Sequence, residues 1–290
     1  MKKHCPVALV VVAGLCWGGA IASAEGIEPK RPPAITQRHT ALHGALTAVG
    51  AGLWITLEMR KDSIAASSCR WCDRDPLVGD KLNGVDRSVR TALVWNNTAK
   101  ADQISDYVAF GGAVGLGFGM PALAAWHDGR AENIPYDSLV IAESVVIAMN
   151  INQISKLMFL RERPWVHYAD DREQMLVGGD DNMSFFSGHA TLAWSLAVSS
   201  GTVASMRGYR LSKLVWASGL TLAVGTSYLR MAADKHYFTD QLVGAGVGSL
   251  VGFAVPYFFH GKVRLFKMKE VQIRPKFGMG GGMLSVRGKW

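Results

Sequence analysis

Three short stretches decide how this chain reads: KLMFLRERP at 156–164, SFFSGH at 184–189 and RMAADKHYFTD at 230–240. They carry the cations Lys156, Arg163 and Arg230, the histidines His189 and His236, and the carboxylate Asp240, with Ser187 and Gly188 just before His189. Each stretch sits at the end of an apolar segment. The segments run from about Tyr107 to Trp126, Ser138 to Leu160, Ala190 to Met206, Leu214 to Leu229 and Gln241 to Phe259, each long enough for a helix of about four to six turns. Glycines recur within two of them, at Gly111, Gly112, Gly115, Gly117 and Gly119 and at Gly244, Gly246, Gly248 and Gly252; small residues so spaced let helices approach closely, as in membrane bundles. Glu143, Asn150, Asn152 and Gln153 interrupt the second segment and must face the bundle interior if lipid surrounds it. The fold expected is therefore an all-α helical bundle, membrane-embedded, with about five long apolar helices, or six if 43–59 is counted. A soluble all-helical core is the alternative.

A chain of 290 residues has room for one domain with a sizeable core. Its opening, MKKHCPVALVVVAGLCWGGAIASAEG, has a basic start, an apolar run from about Pro6 to Ile21 and small residues at Ala22 and Ala24, the pattern of a secretory signal peptide at 1–24. Cleavage there removes Lys2 and Lys3 and takes the net charge from +8 to +6. The lysines and arginines are scattered among apolar segments and form no aromatic-laced patch, which argues against a nucleic-acid partner and for anionic lipid or phosphate. Residues 25–105 read as a lead-in: a Pro-rich start, a marginal apolar helix from His43 to Met59, then a polar segment holding Cys69 and Cys72. In an oxidising compartment these two cysteines are expected to form a local disulfide. The core is expected at 106–261, and the basic tail at 262–290 has a glycine cluster between two alternating runs, which reads as a short hairpin.

Charge placement orients the bundle. Arg207, Arg210 and Lys213 lie between the third and fourth segments, and Lys262, Arg264, Lys267 and Lys269 follow the fifth. Basic flanks stay in the cytoplasm, so the ends bearing Arg163, His189 and His236 are expected to face the periplasm. Five spans after a cleaved signal satisfy this arrangement. A sixth span at 43–59 would require an uncleaved N-terminus.

The chemistry of the three stretches converges on a phosphate. Lys156 and Arg163 lie seven residues apart and so on nearly one helix face, one a point charge and the other a planar fork for phosphate oxygens, before Pro164 stops the helix. Alone, this is equally a basic helix end facing headgroups. Ser187 and Gly188 begin a helix whose free amides suit an anion, and His189 is set to give a proton to a leaving oxygen; the plainer reading is an N-cap serine beside an incidental histidine. Asp240 follows His236 by four residues, so its carboxylate can accept the ring proton and leave the other nitrogen free to attack phosphorus. The plainer reading is a surface pair.

In order, these stretches resemble the type 2 phosphatidic acid phosphatase (PAP2) superfamily, which also holds class A acid phosphatases and vanadium haloperoxidases and carries K-x6-R-P, P-S-G-H and S-R-x5-H-x3-D. Phe186 replaces the usual proline and Leu229 the usual serine. The resemblance covers roughly Ser138 to Phe259. It implies a PAP2-type bundle in which His236 is a nucleophile forming a phosphohistidine, Asp240 orients it, and His189 acts as acid and then base. It also implies that Lys156, Arg163, Arg230, Ser187 and the Gly188 amide hold the phosphate, with no metal or other cofactor. The expected substrate is a lipid phosphate or diphosphate monoester, hydrolysed at the outer face of the inner membrane. Alternatives are a soluble periplasmic acid phosphatase, a haloperoxidase holding vanadate at His236, and an inactive membrane scaffold. The motifs do not identify the head group, the lipid chain or the oligomeric state.

Overall fold

The computed structural model describes residues 34–35, 39–66, 68–75, 79–169, 179–261, 270–278 and 281–289. The signal peptide expected at 1–24 lies outside them, as do most of the Pro-rich start and the basic run 262–269. The described chain forms helices α1 (Thr40–Ile64), α2 (Gly84–Leu93), α3 (Thr98–His127), α4 (Ala131–Phe159), α5 (Gly188–Arg207), α6 (Ser212–Ala232) and α7 (Phe238–Phe259). Two antiparallel pairs accompany them: β1 (Arg74–Asp75) with β2 (Gly79–Asp80), and β3 (Glu270–Gly278) with β4 (Gly281–Lys289). The second pair is the hairpin expected in the tail.

Local chemistry sets the helix ends. Asn83 and Asn97 cap α2 and α3, each side chain accepting from a backbone amide three residues on, Asp86 and Lys100, at 2.9 Å. From its cap, α3 runs straight through the apolar segment expected to begin at Tyr107, widening into π turns over Tyr107–Ala113. The expected boundary between residues 105 and 106 is thus the middle of a helix. Leu160 closes α4 in a left-handed conformation at φ 45°, and Pro164 opens a single turn, Pro164–His167. At the end of α5, Gly208 adopts φ 67°, the left-handed position that favours glycine.

Helix α5 is the hub, almost wholly buried and packed against α3, α4, α6 and α7. Three glycines four apart let α7 lie on it. A Cβ at Gly244 would come within 2.8 Å of Ser187 O, at Gly248 within 2.6 Å of Thr191 O, and at Gly252 within 2.8 Å of Ser195 O. This is backbone-to-backbone packing of the membrane type.

Among the described residues four helices, α1, α3, α4 and α7, are long and apolar enough to cross a membrane. On α1 every residue is at least partly exposed, and Leu42, Leu46, Val49, Leu53 and Met59 point outward, a surface suited to lipid and not to water. The molecule is a membrane-embedded all-α bundle. Segment 43–59, marginal by sequence, belongs to this set because its helix continues through Arg60, Lys61 and Asp62 to Ile64. Conversely α5 and α6, expected as spans, fall outside it. The interior of α5 carries Ser195, Ser199 and Ser200, whose hydroxyls bond carbonyls one turn back; a helix enclosed by protein needs no lipid-facing apolar surface. The polar interruptions of α4 face inward as expected: Asn150 donates to Gly50 O at 2.9 Å, Asn152 to Phe186 O at 2.7 Å, and Gln153 to Glu58.

Candidate active site

The end of α4, the start of α5 and the link from α6 to α7 meet around a cavity of about 310 Å³. Lys156, Arg163, Gly188, His189, Arg230 and His236 all line it. The geometry at His236 is the most informative. Its Nδ1 donates to the Ser184 carbonyl at 2.8 Å, and its Nε2 accepts from Arg163 Nη1 at 3.3 Å. That tautomer turns the ring's lone pair toward the cations. Burial, with the positive charges of Arg163, Arg230 and Lys156, holds the imidazole well below the ordinary histidine range, so the ring is neutral at pH 7.

Asp240 stands differently from the expectation. Its Oδ2 is 3.7 Å from His236 Nδ1, beyond hydrogen-bond reach. Instead the carboxylate accepts from Ser184 Oγ at 2.6 Å, Tyr237 N at 3.0 Å and Arg161 Nη1 at 2.7 Å. It holds Ser184, and the Ser184 carbonyl holds the histidine. Ser187 also departs from its expected place: it is fully buried, caps α5 by accepting from Ala190 N at 3.3 Å, and does not line the cavity. Gly188 does. A Cβ there would lie 3.1 Å from Asn152 Oδ1 and 3.6 Å from Lys156 Nζ, so alanine would intrude between the helix start and the lysine. Gly188→Ala is expected to lower kcat/KM by about 10- to 100-fold with little change in Tm, the cost of a misplaced anion site, measurable by steady-state kinetics beside thermal melts.

The remaining cations are braced by acids that the three stretches do not contain. Arg163 Nη2 donates to both carboxylate oxygens of Asp180 at 3.0 Å, and its Nε to the Asp180 carbonyl at 2.8 Å. Burial would raise the Asp180 carboxyl, but Arg163, Lys156 and Lys61 outweigh it and hold the group below the ordinary carboxylate range. Arg230 Nη1 donates to Asp102 and to Ser105 Oγ, the latter at 2.9 Å. His189 Nε2 bonds Asp106 Oδ1 at 2.8 Å, with its ring edge-on to Phe110. Glu58, Lys61 and Lys235 complete the polar wall. The spacing of Asp102 and Asp106, four apart on one face of α3, was the available sequence signal for two of these acids. Away from the cavity, Cys69 and Cys72 are joined as expected, with Cα atoms 5.5 Å apart.

Two histidines and three cations from separate elements thus share one cavity, in the order of the PAP2 motifs. Residues 137–264 match the PAP2 superfamily. All three motifs lie inside that match, so the resemblance carried by the motifs is shown for this part of the chain. No curated protein matches the chain. Among solved structures, the crystal structure of the first transmembrane PAP2 type phosphatidylglycerolphosphate phosphatase from Bacillus subtilis is similar to it, with 19% sequence identity over 71% of this chain and 95% of that one and a TM-score of 0.45. The N-terminal helices outside the matched region also contribute: α1 supplies Trp54, Glu58 and Lys61 to the cavity wall, and the start of α3 supplies Asp102 and Asp106.

Proposed function

We propose that this protein is a phosphatase of lipid phosphate or diphosphate monoesters that works through a phosphohistidine on His236. The observation that carries the reading is the tautomer of that ring, whose Nε2 lone pair faces a cavity lined by Lys156, Arg163 and Arg230. In the first step Nε2 attacks phosphorus, the bond from phosphorus to the lipid oxygen breaks, and His189 gives that oxygen a proton. In the second, His189 takes a proton from water, the hydroxide attacks phosphorus, the P–N bond breaks and phosphate leaves. The three cations offset the charge on the equatorial oxygens, each contact contributing on the order of 10²–10³ in kcat. Asp240 is a positioning residue acting through Ser184. Asp106, already bonded to His189, yields that contact to the leaving oxygen and steadies the imidazolium before transfer.

A lipid substrate is supported by the shape of the wall. Beside the charged floor stand Trp54, Phe110, Met149 and Leu192, the first three on helices long and apolar enough to lie in a bilayer. We infer further that the cavity opens to the periplasmic face of the inner membrane, from the basic flanks Arg207, Arg210 and Lys213 at the opposite end. Because α1 is in the spanning set and ends at the cavity, its start then lies on the cytoplasmic side, and the cleaved signal peptide expected at 1–24 does not fit this topology. The test is purified protein in detergent micelles, without added metal, given phosphatidic acid, phosphatidylglycerophosphate, an isoprenyl diphosphate, a lipid A phosphate and a soluble aryl phosphate. One of the lipids is expected to be preferred by at least about 10-fold in kcat/KM. Equal or better turnover of the soluble ester would replace the lipid reading by a broad-specificity phosphatase.

A further inference from the structure

At the end of α1 remote from the phosphate cavity, a second group of polar side chains is assembled for which phosphate chemistry has no use. His43 of α1, Glu143 of α4 and His260 just past α7 bring one ligating atom each to within 4.8 Å of one another. His43 Nδ1 is 3.0 Å from Glu143 Oε1 and 3.1 Å from Oε2, and His260 Nε2 is 2.8 Å from Oε2. Glu143 and His260 are buried, and the His43 side chain is 18% exposed. Along α4, Glu143 precedes Lys156 by 13 residues, about 20 Å of helix, so this group is separate from the catalytic one.

We propose that His43, Glu143 and His260 form a divalent transition-metal site, of the zinc type. Two imidazoles and a carboxylate are an established donor set for zinc, which binds such atoms at about 2.0–2.2 Å and leaves a fourth position for water. Tetrahedral ligands at that radius lie about 3.3 Å from one another, close to the separations from Glu143. The site also has an outer partner: Tyr136 OH lies 2.8 Å from His260 Nδ1, where an oxygen atom fixes the ring so that Nε2 points at the ion. Hydrogen bonding alone explains this arrangement less well. It would place a carboxylate and two imidazoles in the apolar interior of a membrane bundle, where ionisable groups are costly unless they serve a purpose.

The purpose follows from how α1 is attached. This helix packs on α4 with every residue at least partly exposed, yet it carries Glu58, Lys61 and Trp54 to the phosphate cavity. An ion shared by α1, α4 and the end of α7 would pin the far end of α1 and so fix the register of those three residues.

The experiment uses the full chain in detergent, stripped with a chelator and then dialysed against zinc chloride, with bound metal measured by mass spectrometry and thermal melts run with and without zinc. Wild type is expected to retain about one zinc per chain and to melt higher with zinc. His43→Ala and Glu143→Gln should bind at least about 100-fold more weakly and lose the thermal shift, with Tyr136→Phe intermediate at about 10-fold. His43→Ala removes a ligand at the part-exposed edge, so it reads the site even if Glu143→Gln fails to fold. Zinc retained at wild-type level by His43→Ala, or no zinc on the wild type, would overturn the proposal.

Discussion

His236→Ala is expected to abolish turnover, with kcat reduced by roughly 10⁴-fold or more, while the protein elutes and melts as the wild type does. The size of the effect follows from the ring's position. Its Nε2 is the nitrogen presented to Arg163, and the Nδ1 bond to Ser184 O fixes which nitrogen carries the proton. Alanine leaves the three cations and His189 in place, so substrate should still bind; what disappears is the covalent intermediate proposed on this ring. Rapid acid-free quenching of wild type with labelled substrate should show an acid-labile, base-stable phosphoenzyme, and the variant none. Loss of Tm is not anticipated, because removing a buried imidazole frees one carbonyl but also relieves the crowding of Arg163, Arg230 and Lys156 around it. Residual activity above about 1% of wild type would assign the nucleophile elsewhere.

The contents of the cavity were legible in the sequence, and its bracing was not. Lys156, Arg163, His189, Arg230 and His236 could be read because each lies at the end of an apolar segment, and segment ends on one side of a bundle must meet. Asp102, Asp106 and Asp180 pair with Arg230, His189 and Arg163 across up to 128 positions; the four-residue spacing of Asp102 and Asp106 marks a shared face, but no local spacing encodes which partner each acid takes. Asp240 departs from the expected pairing with His236 for a local reason. A spacing of four puts two side chains on one face only if both residues are helical, whereas His236 precedes the N-cap residue Tyr237. Asp240 is the third residue of α7, and its carboxylate turns back to the Tyr237 amide in a capping box. Five of the six long helices were legible as apolar segments and α1 was marginal, but which of them face lipid depended on burial, which segment hydropathy reports poorly for a central helix such as α5.

Arg161→Met is expected to destabilise the protein by about 3–5 kcal/mol, the cost of removing one partner from a buried ionic cluster. This arginine lies between two residues of the first motif yet points away from the cavity, fully buried. Its guanidinium bonds Asp73 at 3.0 Å, Asp86 at 2.9 Å and Asp240 at 2.7 Å, and it stacks between Trp71 and Tyr237, 4.3 and 4.1 Å from their ring centroids. Burial alone would make the charge harder to keep, but the three carboxylates reverse that and hold the guanidinium above its ordinary value. Methionine fills much of the volume but leaves three acids facing one another with no cation among them. Asp86 keeps the Thr239 amide at 2.9 Å and Asn83 at 2.7 Å, and Asp240 keeps Ser184, so part of the cost is met by neighbours and complete unfolding is not expected. Arg161→Lys should recover less than half of the loss, because a point charge cannot reach three carboxylates that a planar fork spans. Thermal melts in detergent measure both variants. The kinetic signature separates this role from simple packing: slackening Asp240 loosens Ser184 and with it the His236 ring, so Arg161→Lys should lose kcat while KM stays near the wild-type value. A lysine variant with lowered Tm and unchanged kcat would confine Arg161 to holding α7 against the chain between α1 and α2.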